Sequence, residues 1–400
     1  MIFSKWREMA RRYGFREYDG PPLEALELFT TKSGEEIVGQ LYNFTDKGER
    51  NVSLRPEMTP TLARMVAAHE RNYKKPIKWF AVPQLFRYER QQKGRLREHF
   101  QFNADVIGET DPSADAELIA LLIDVLRSFG LTAEDFVIRL SSRNAWHDFY
   151  ERGGGLAAAK QKDAGATPGD NHEYEFFQII DKLERAEPAD SEKQLAALGF
   201  SLSEVNKFIE SGEPTSELKS ILDNLAARGM SDFVKVDYHV IRGLAYYTGV
   251  VFEAFDRKGE FRAIAGGGRY DNLIKLLSNG KVNLPALGFG MGDVVLLELL
   301  KARGLLPKFD TNVDVFVIVD DEGLRAQSLK LVQELRAGGF AVEYSLTPAK
   351  SDKQFKRAQE LKAAFTVKLE NDAYARIRNS ATRTELVSGA SDVRNHIGKA

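Results

Sequence analysis

Apolar positions recur at helical spacing from the first residues of the chain. Ile2, Phe3, Trp6, Met9, Ala10 and Tyr13 fall on one face, which predicts an amphipathic helix, with Gly14 placed to cap its end. Pro21 and Pro22 then impose an extended turn, because proline fixes its own φ and restricts the residue before it. Strand-like runs over residues 35–46 and 77–89 enclose a helix expected from about Thr59 to Glu70. Strands and helices intermix without a regular βαβ rhythm. The run FQFNADVIG, residues 100–108, alternates, so Phe100, Phe102, Ala104 and Val106 share one face and Gln101, Asn103 and Asp105 the other.

A strongly apolar helix is predicted from about Ala114 to Phe129, and a strand from Phe136 to Leu140. Between about Ala145 and Met230 short amphipathic patterns, glycine breaks at 153–155 and charge-rich connections predict a helical insertion. Strand patterns resume with FVKVDY, VVFEAF, FRAIAG and PALGFGM, and the helix Val294–Lys301 follows. Residues 304–311, GLLPKFDT, read as a linker, since Gly and Pro interrupt the helix and a new rhythm begins after them. VDVFVIV, a helix over Leu324–Arg336, FAVEYSL, a helix near Asp352–Ala363 and AFTVKL then give β-α-β-α-β order, the pattern of a small α/β domain. The expected layout is a main domain over 1–303 with its insertion at about 145–230, the linker, and a second domain over 312–400.

Composition narrows the function classes. Apolar residues make up 43% and charged residues 28% of the 400, ordinary globular values. No run reaches the roughly 18 to 20 apolar residues that span a bilayer, and the first segment is charged and amphipathic, so a cytoplasmic protein without membrane contact is expected. There are no cysteines, which removes disulfides, zinc–thiolate sites and thiol nucleophiles together. The six histidines show no close metal-binding spacing, so no metal held by the protein alone is expected. With a net charge of −2, any nucleic-acid contact has to come from local basic patches.

One such patch opens FRYERQQKGRLREHFQFNAD, where over residues 87–98 Arg87, Arg90, Lys93, Arg95 and Arg97 are opposed only by Glu89 and Glu98. A cationic loop between two strands can clamp phosphates; a solvated hairpin tip is the plainer alternative. The segment AIAGGGRYDNL sets three glycines, 266–268, beside Arg269, Tyr270 and Asp271. Such glycines either let a backbone approach something closely or form a tight turn at a strand end. Neither a GxxxxGK[ST] loop nor a dinucleotide GxGxxG after a strand occurs, so a nucleotide has to be held in another way.

Together, LRPEMT (54–59), FRYERQQKGR (86–95), RGLAYYTG (242–249), AGGGRYDNL (265–273) and GFGMG (288–292) resemble, in this order and over nearly the whole chain, the histidyl-tRNA synthetases. FRxE with its basic loop is the second signature of class II synthetases at large; RGLxYY and GGRYD are specific to the histidyl family. The resemblance implies an α+β fold, with an antiparallel six-stranded catalytic sheet flanked by helices, a helical insertion and a C-terminal α/β anticodon-binding domain. It also implies a homodimer built partly through the segment around Pro21 and Pro22. The substrates implied are L-histidine, ATP with Mg2+, and tRNA(His).

The resemblance assigns the α-phosphate to Arg87 and Arg242, adenine to Glu89, and further ATP contacts to Arg90, Gly288 and Gly290. Glu57, Thr59 and Gln101 fall to the amino and carboxylate end of histidine, and Asp105, Tyr247 and Tyr270 to its ring. Arg90, Gln92, Lys93 and Arg95 fall to the tRNA acceptor end. The chain departs from the family at three places. It starts at the first helix, where relatives carry a glycine- and arginine-containing segment; Ala245 stands where Asp is common; and GMGDVV lacks the arginine of the third class II motif. HIGK at 396–399 is read as a chance match to a class I signature. The alternative function is a non-catalytic paralogue, the histidine-sensing regulatory subunit of ATP phosphoribosyltransferase.

Overall fold

The alternation at 100–107 produces the strand on which the rest of the larger unit is built. Glu98–Ile107 runs for ten residues, and from Phe102 onward every residue is buried, Asn103 and Asp105 included. A polar residue on a strand buried on both faces is unusual enough to require partners. The structure, a computed structural model, describes residues 1–30, 39–88, 96–153, 172–241, 246–307 and 313–397. These form two units, Met1–Leu306 and Pro307–Ala400.

In the first unit the strands are β1 (Arg16–Glu17), β2 (Leu23–Ala25), β3 (Tyr42–Thr45), β4 (Asn51–Leu54), β5 (Ile77–Ala81), β6 (Gln84–Phe86), β7 (Glu98–Ile107) and β8 (Phe136–Ser142). After the insertion come β9 (Val234–Val236), β10 (Val250–Asp256), β11 (Ala265–Arg269) and β12 (Ala286–Gly292). The order β5-β7-β12-β11-β10-β8 is antiparallel throughout, and short parallel strands, β1 and β9, close its two edges. The expected six-stranded antiparallel sheet is therefore present; of its two edge strands, β9 falls in the predicted FVKVDY run and β1 was not marked by the pattern. A separate small sheet has the order β2-β4-β3.

The helices fall where the 3.6-residue periodicity puts them. Helix α1 (Ile2–Arg12), α2 (Thr59–His69), α3 (Ser113–Ser128) and α4 (Arg143–Arg152) are followed by α5 (His172–Lys182), α6 (Pro188–Ala197), α7 (Leu202–Ser211), α8 (Ser216–Ala227) and α9 (Asp293–Ala302). Helix α1 buries Trp6, Met9 and Ala10 against the sheet face carrying Phe102, Ala104, Val106 and Phe289. Trp6 stacks on Phe102 at 5.7 Å, and Phe102 meets Phe289 edge-on at 5.6 Å. The opposite face carries Ile77, Ile107, Val251 and Ala286 and is covered by α2 through Leu62 and Val66. Helices α7 and α8 of the insertion start with side-chain caps at Ser201 and Thr215. The insertion packs around Trp146, whose indole N–H donates to the Tyr238 carbonyl at 3.0 Å.

Arg269 does not flank a ligand, as its place beside the glycines suggested. It is buried, and its Nε donates to both carboxylate oxygens of Asp115 on α3 at 3.1 and 3.0 Å. Nη1 and Nη2 reach the carbonyls of Glu109 and Asp111. Period-2 side-chain alternation turns Arg269 to the helix-covered face while Gly266 and Gly268 take the other.

The second unit has the sheet order β14-β13-β15-β16-β17, where β13 is Val315–Ile318, β14 Val342–Tyr344, β15 Phe365–Leu369, β16 Tyr374–Asn379 and β17 Glu385–Gly389. The first three are parallel, linked by α10 (Arg325–Ala337) and α11 (Ser351–Glu360), as the β-α-β-α-β order requires. Strands β16 and β17 add an antiparallel hairpin that was not read from the sequence.

Truncating Asp115 to Ala leaves the buried Arg269 without its bidentate partner, with only the more distant Asp271 at 3.8 Å to offset its charge. Stability should fall by about 3–5 kcal/mol, seen as a lower urea midpoint at an unchanged m-value; a loss below about 1 kcal/mol would show that the pair does not anchor the sheet to α3.

Candidate active site

The register of three neighbouring strands creates the cleft. Asp105 of β7 lies opposite Gly288 of β12, and Gly288 lies opposite Gly268 of β11; Asn103 faces Gly290, which faces Gly266. A Cβ on Gly288 would stand 2.0 Å from Asp105 Oδ1, and one on Gly290 would stand 2.1 Å from Gln101 Nε2. Only glycine at these positions lets the polar side chains of β7 lie over the sheet. The triple glycine is thus the middle of a central strand and not a turn at its end. Gly266 and Gly268 lie on the cleft face; Gly267 is needed for another reason, since its Cβ would meet the Gly288 carbonyl at 2.2 Å.

The cleft is lined by Glu57, Thr59, Arg87, Gln101, Asn103, Asp105, Tyr246, Tyr247, Tyr270, Phe289 and the three glycines 266, 288 and 290. All six residues that the resemblance assigned to histidine are brought together here, and Arg87 joins them. Gly288 and Gly290, assigned to ATP, back Asp105 and Gln101. Arg242, Glu89, Arg90, Gln92, Lys93 and Arg95 lie outside the described residues, as does Ala245.

Asp105 is the electrostatic centre of the cleft. Tyr270 Oη donates to its Oδ1 at 2.6 Å. Burial pushes the Asp105 carboxyl up to about 7, against the pull of the Tyr270 hydrogen bond. Burial also raises the Tyr270 phenol well above its usual range, reinforced by the Asp105 charge. A carboxyl poised near neutrality beside a phenol that stays protonated can take either charge state when a donor arrives.

At the other end, Tyr246 Oη donates to Glu57 Oε2 at 2.7 Å. Glu57 is buried just ahead of α2, where helix-end amides favour negative charge. Arg87 Nε donates to the Pro56 carbonyl at 3.0 Å, which fixes the guanidinium beside Glu57. His99, on the same face of β7 as Gln101, is driven down to about 4 by burial and by the Arg87 charge, so its imidazole is neutral. Asn103 Oδ1 is buried with no partner among the described residues, an acceptor left for a ligand.

The sequence reading passed over three of these residues. Asn103 and His99 continue the alternation that marks Gln101 and Asp105, so the signal was available. Tyr246 invited a reading as core packing, and only the structure shows its hydroxyl on Glu57. Among the described residues no three His, Asp or Glu side chains are grouped to hold a metal ion. Glu57 and Asp105 already accept from phenols, which suits them to a ligand's N–H groups.

Comparison with known proteins agrees with this geometry. A family model for histidyl-tRNA synthetase matches residues 1–293, and one for an anticodon binding domain matches 313–387. The chain is 46% identical to the histidine–tRNA ligase of Opitutus terrae, over 96% of this chain and 90% of that one. It is 38% identical to that of Leptospira biflexa, over 90% and 83%, and 38% identical to the chloroplastic/mitochondrial one of Arabidopsis thaliana, over 90% and 75%. In fold it is similar to histidyl-tRNA synthetase from Nostoc sp., with TM-score 0.76, 21% identity and coverage of 99% and 94%. The S. aureus enzyme gives 0.70 and 24% with the same coverage.

Because the Asp105 pKa is raised, the folded state binds a proton that the unfolded chain has lost between about pH 4 and 7. Stability from this group is complete below about pH 4 and is lost as pH rises through about 7. Asp105→Asn keeps the acceptor for Tyr270 and removes the titration. The variant should be more stable than the parent at pH 8 by roughly 2–4 kcal/mol and equal to it near pH 4; equal denaturation midpoints at both pH values would refute the raised carboxyl.

Proposed function

We propose, for a chain that belongs to the histidyl-tRNA synthetase family, a division of that family's reaction among the residues of the cleft. The chain is a class II aminoacyl-tRNA synthetase. It activates L-histidine with ATP to histidyl-adenylate and transfers the histidyl group to the 3′ end of tRNA(His), releasing AMP and pyrophosphate. The observation that carries the residue assignment is the buried Asp105 over Gly288, held on one oxygen by Tyr270.

Imidazole presents one N–H donor and one acceptor, or two donors when protonated. In our reading Asp105 Oδ2 accepts from a ring nitrogen, with Tyr247 and Tyr270 enclosing the ring. A pocket built around that hydrogen bond rejects amino acids lacking the group by large factors, because the carboxyl would be left buried and unpaired. Glu57 takes the ammonium, and Thr59 and Gln101 position the carboxylate. This places the histidine carboxylate toward Arg87.

Attack of that carboxylate on the α-phosphate builds negative charge that fixed guanidinium donors stabilise. Arg87 is one, preorganised by its bond to Pro56; Arg242 is the second, and Glu89 meets adenine, both on the resemblance alone. Gly288 and Gly290 border the nucleotide side of the cleft. Magnesium carried by ATP would offset the charge of its phosphates. In the second step the terminal ribose hydroxyl attacks the adenylate, and a phosphate oxygen takes the proton. Glu57 and Asp105 are occupied at the amino and ring ends, which supports this assignment.

Arg90, Gln92, Lys93 and Arg95 meet the tRNA acceptor end through phosphates, and the second unit reads the anticodon, whose unstacked bases expose their edges. We place the reaction in the cytoplasm, where ATP and tRNA meet; no described helix is long and apolar enough to cross a membrane. Two copies pair through the segment around Pro21 and Pro22, a reading supported by the exposed Leu23 and Phe44 on the small sheet beside it. The regulatory-subunit alternative fits less well, given the anticodon-domain match and the ligase relatives.

Pyrophosphate exchange into ATP, run with each of the twenty amino acids, tests the proposal: exchange should require histidine, and exchange driven by another amino acid would overturn the pocket assignment. Arg87→Ala should lower the exchange kcat by about 100- to 1,000-fold with a smaller change in histidine KM. A loss confined to KM would move Arg87 from the transition state to ground-state binding. Gly288→Ala should displace Asp105 and raise histidine KM at least about 10-fold; a KM within twofold of the parent would show that the glycine is not needed for the carboxylate.

A further inference from the structure

Tyr18 follows β1 at the edge of the sheet, and its amide N–H continues the pairing by donating to the Phe80 carbonyl at 2.9 Å. Its ring packs against Trp79 at 5.5 Å, and Trp79 is the cross-strand neighbour of Asp105 in the β5–β7 register. Tyr18 as a whole is half-buried, but its hydroxyl is enclosed and has no hydrogen-bond partner among the described residues. Burial holds the Tyr18 phenol well above its usual range, reinforced by the charge of Asp105. Tyr18 does not itself line the cleft.

An unpartnered buried hydroxyl costs roughly 1–3 kcal/mol. The fold does not need it, since phenylalanine fills the same space without the orphan group. Arg55, the nearby buried cation, already donates to the carbonyls of Gly20 and Gln84, so it cannot accept from the phenol. Two acceptors on the cleft face of β7 are open to the phenol, Asn103 Oδ1 and the Asp105 carboxylate, whose Oδ1 is taken by Tyr270; Trp79, on which Tyr18 packs, is the cross-strand neighbour of Asp105 and not of Asn103.

On these grounds we infer that Tyr18 is a positioning residue for the histidine side chain: when a ring N–H engages Asp105, the Tyr18 hydroxyl donates to the same carboxylate and holds it in the ionised form. The inference rests on the ring pocket proposed above. It adds a residue from the sheet edge, outside every motif of the cleft. The free protein carries an unsatisfied donor, and the bound protein uses it, so the hydroxyl contributes to histidine binding and not to folding.

The test is Tyr18→Phe in the full chain, with histidine-dependent pyrophosphate exchange and thermal melts with and without histidine. Histidine KM should rise about 10-fold, with kcat and the KM for ATP within about twofold. The melting temperature without histidine should be equal to or above that of the parent, while the stabilisation by histidine shrinks. An unchanged histidine KM would overturn the inference whatever the melts show. A lower melting temperature with unchanged KM would assign the hydroxyl to an internal water and overturn it equally. Introducing the change on Asp105→Asn supplies a second measurement: the added effect on histidine binding should vanish there, and a full 10-fold effect in that background would show that Tyr18 does not act through Asp105. Absence of any histidine response in the unmodified protein would sink the pocket reading together with this inference, whereas a normal parent and an unaffected variant would sink the inference alone.

Discussion

A carboxyl cannot lie on the middle of a close-packed sheet unless its neighbours make room, and that constraint organises this molecule. Asp105 occupies such a position because β12 and β11 present glycine opposite it. Any side chain at Gly288 would overlap its carboxylate. The missing methyl groups convert part of a buried sheet face into a polar trough, and the rest of the site follows from stabilising what sits in it. Tyr270 supplies one hydrogen bond, and burial leaves the carboxyl near neutrality. A ligand that brings its own donor meets an acceptor already desolvated, so little reorganisation is needed on binding.

The opposite face of the same strands bears the cost of holding that trough in place. Phe102, Ala104 and Val106 alternate with the polar residues of β7 and lock into α1 and α3. Arg269, one residue past the glycines, is tied to Asp115 and two carbonyls of the segment before α3. The glycines would by themselves give a weakly specified strand. A buried bidentate pair at its end and Phe289 on its neighbour fix its register, because a slip of one residue would send Arg269 into the cleft and a glycine toward α3. The site is therefore rigid on the sheet side and is completed by α2 and the Tyr246–Tyr247 segment from the other.

Much of this was legible in the sequence where the period was clean. The alternation of residues 100–107 predicted which side chains share a face, and Gln101 and Asp105 do line one cleft. The long apolar helix, the helical insertion and the β-α-β-α-β order were visible for the same reason. Glycine was harder to read, since the residue suits both a turn and a crowded strand; its meaning lies in the cross-strand partner, which one sequence does not display. Arg269 was misplaced because its neighbours suggested a ligand, although alternation from Gly266 already turned it to the helix side. The hairpin of β16 and β17 went unread because its core-facing pattern is short: Ala375 and Ile377 alternate with Arg376 and Arg378 on β16, and β17 buries none of its residues. The surroundings of the Tyr246 and Tyr18 hydroxyls were not legible, because the fate of a hydroxyl depends on residues far away in the chain.

The most direct check of this account is a crystal structure of the protein with L-histidine bound at neutral pH. An imidazole nitrogen should lie within hydrogen-bonding distance of Asp105, over Gly288, with the ammonium at Glu57 and the carboxylate toward Arg87. Histidine seated elsewhere, or in the cleft with its ring turned away from Asp105, would contradict the claim that the glycine-lined trough exists to present that carboxyl.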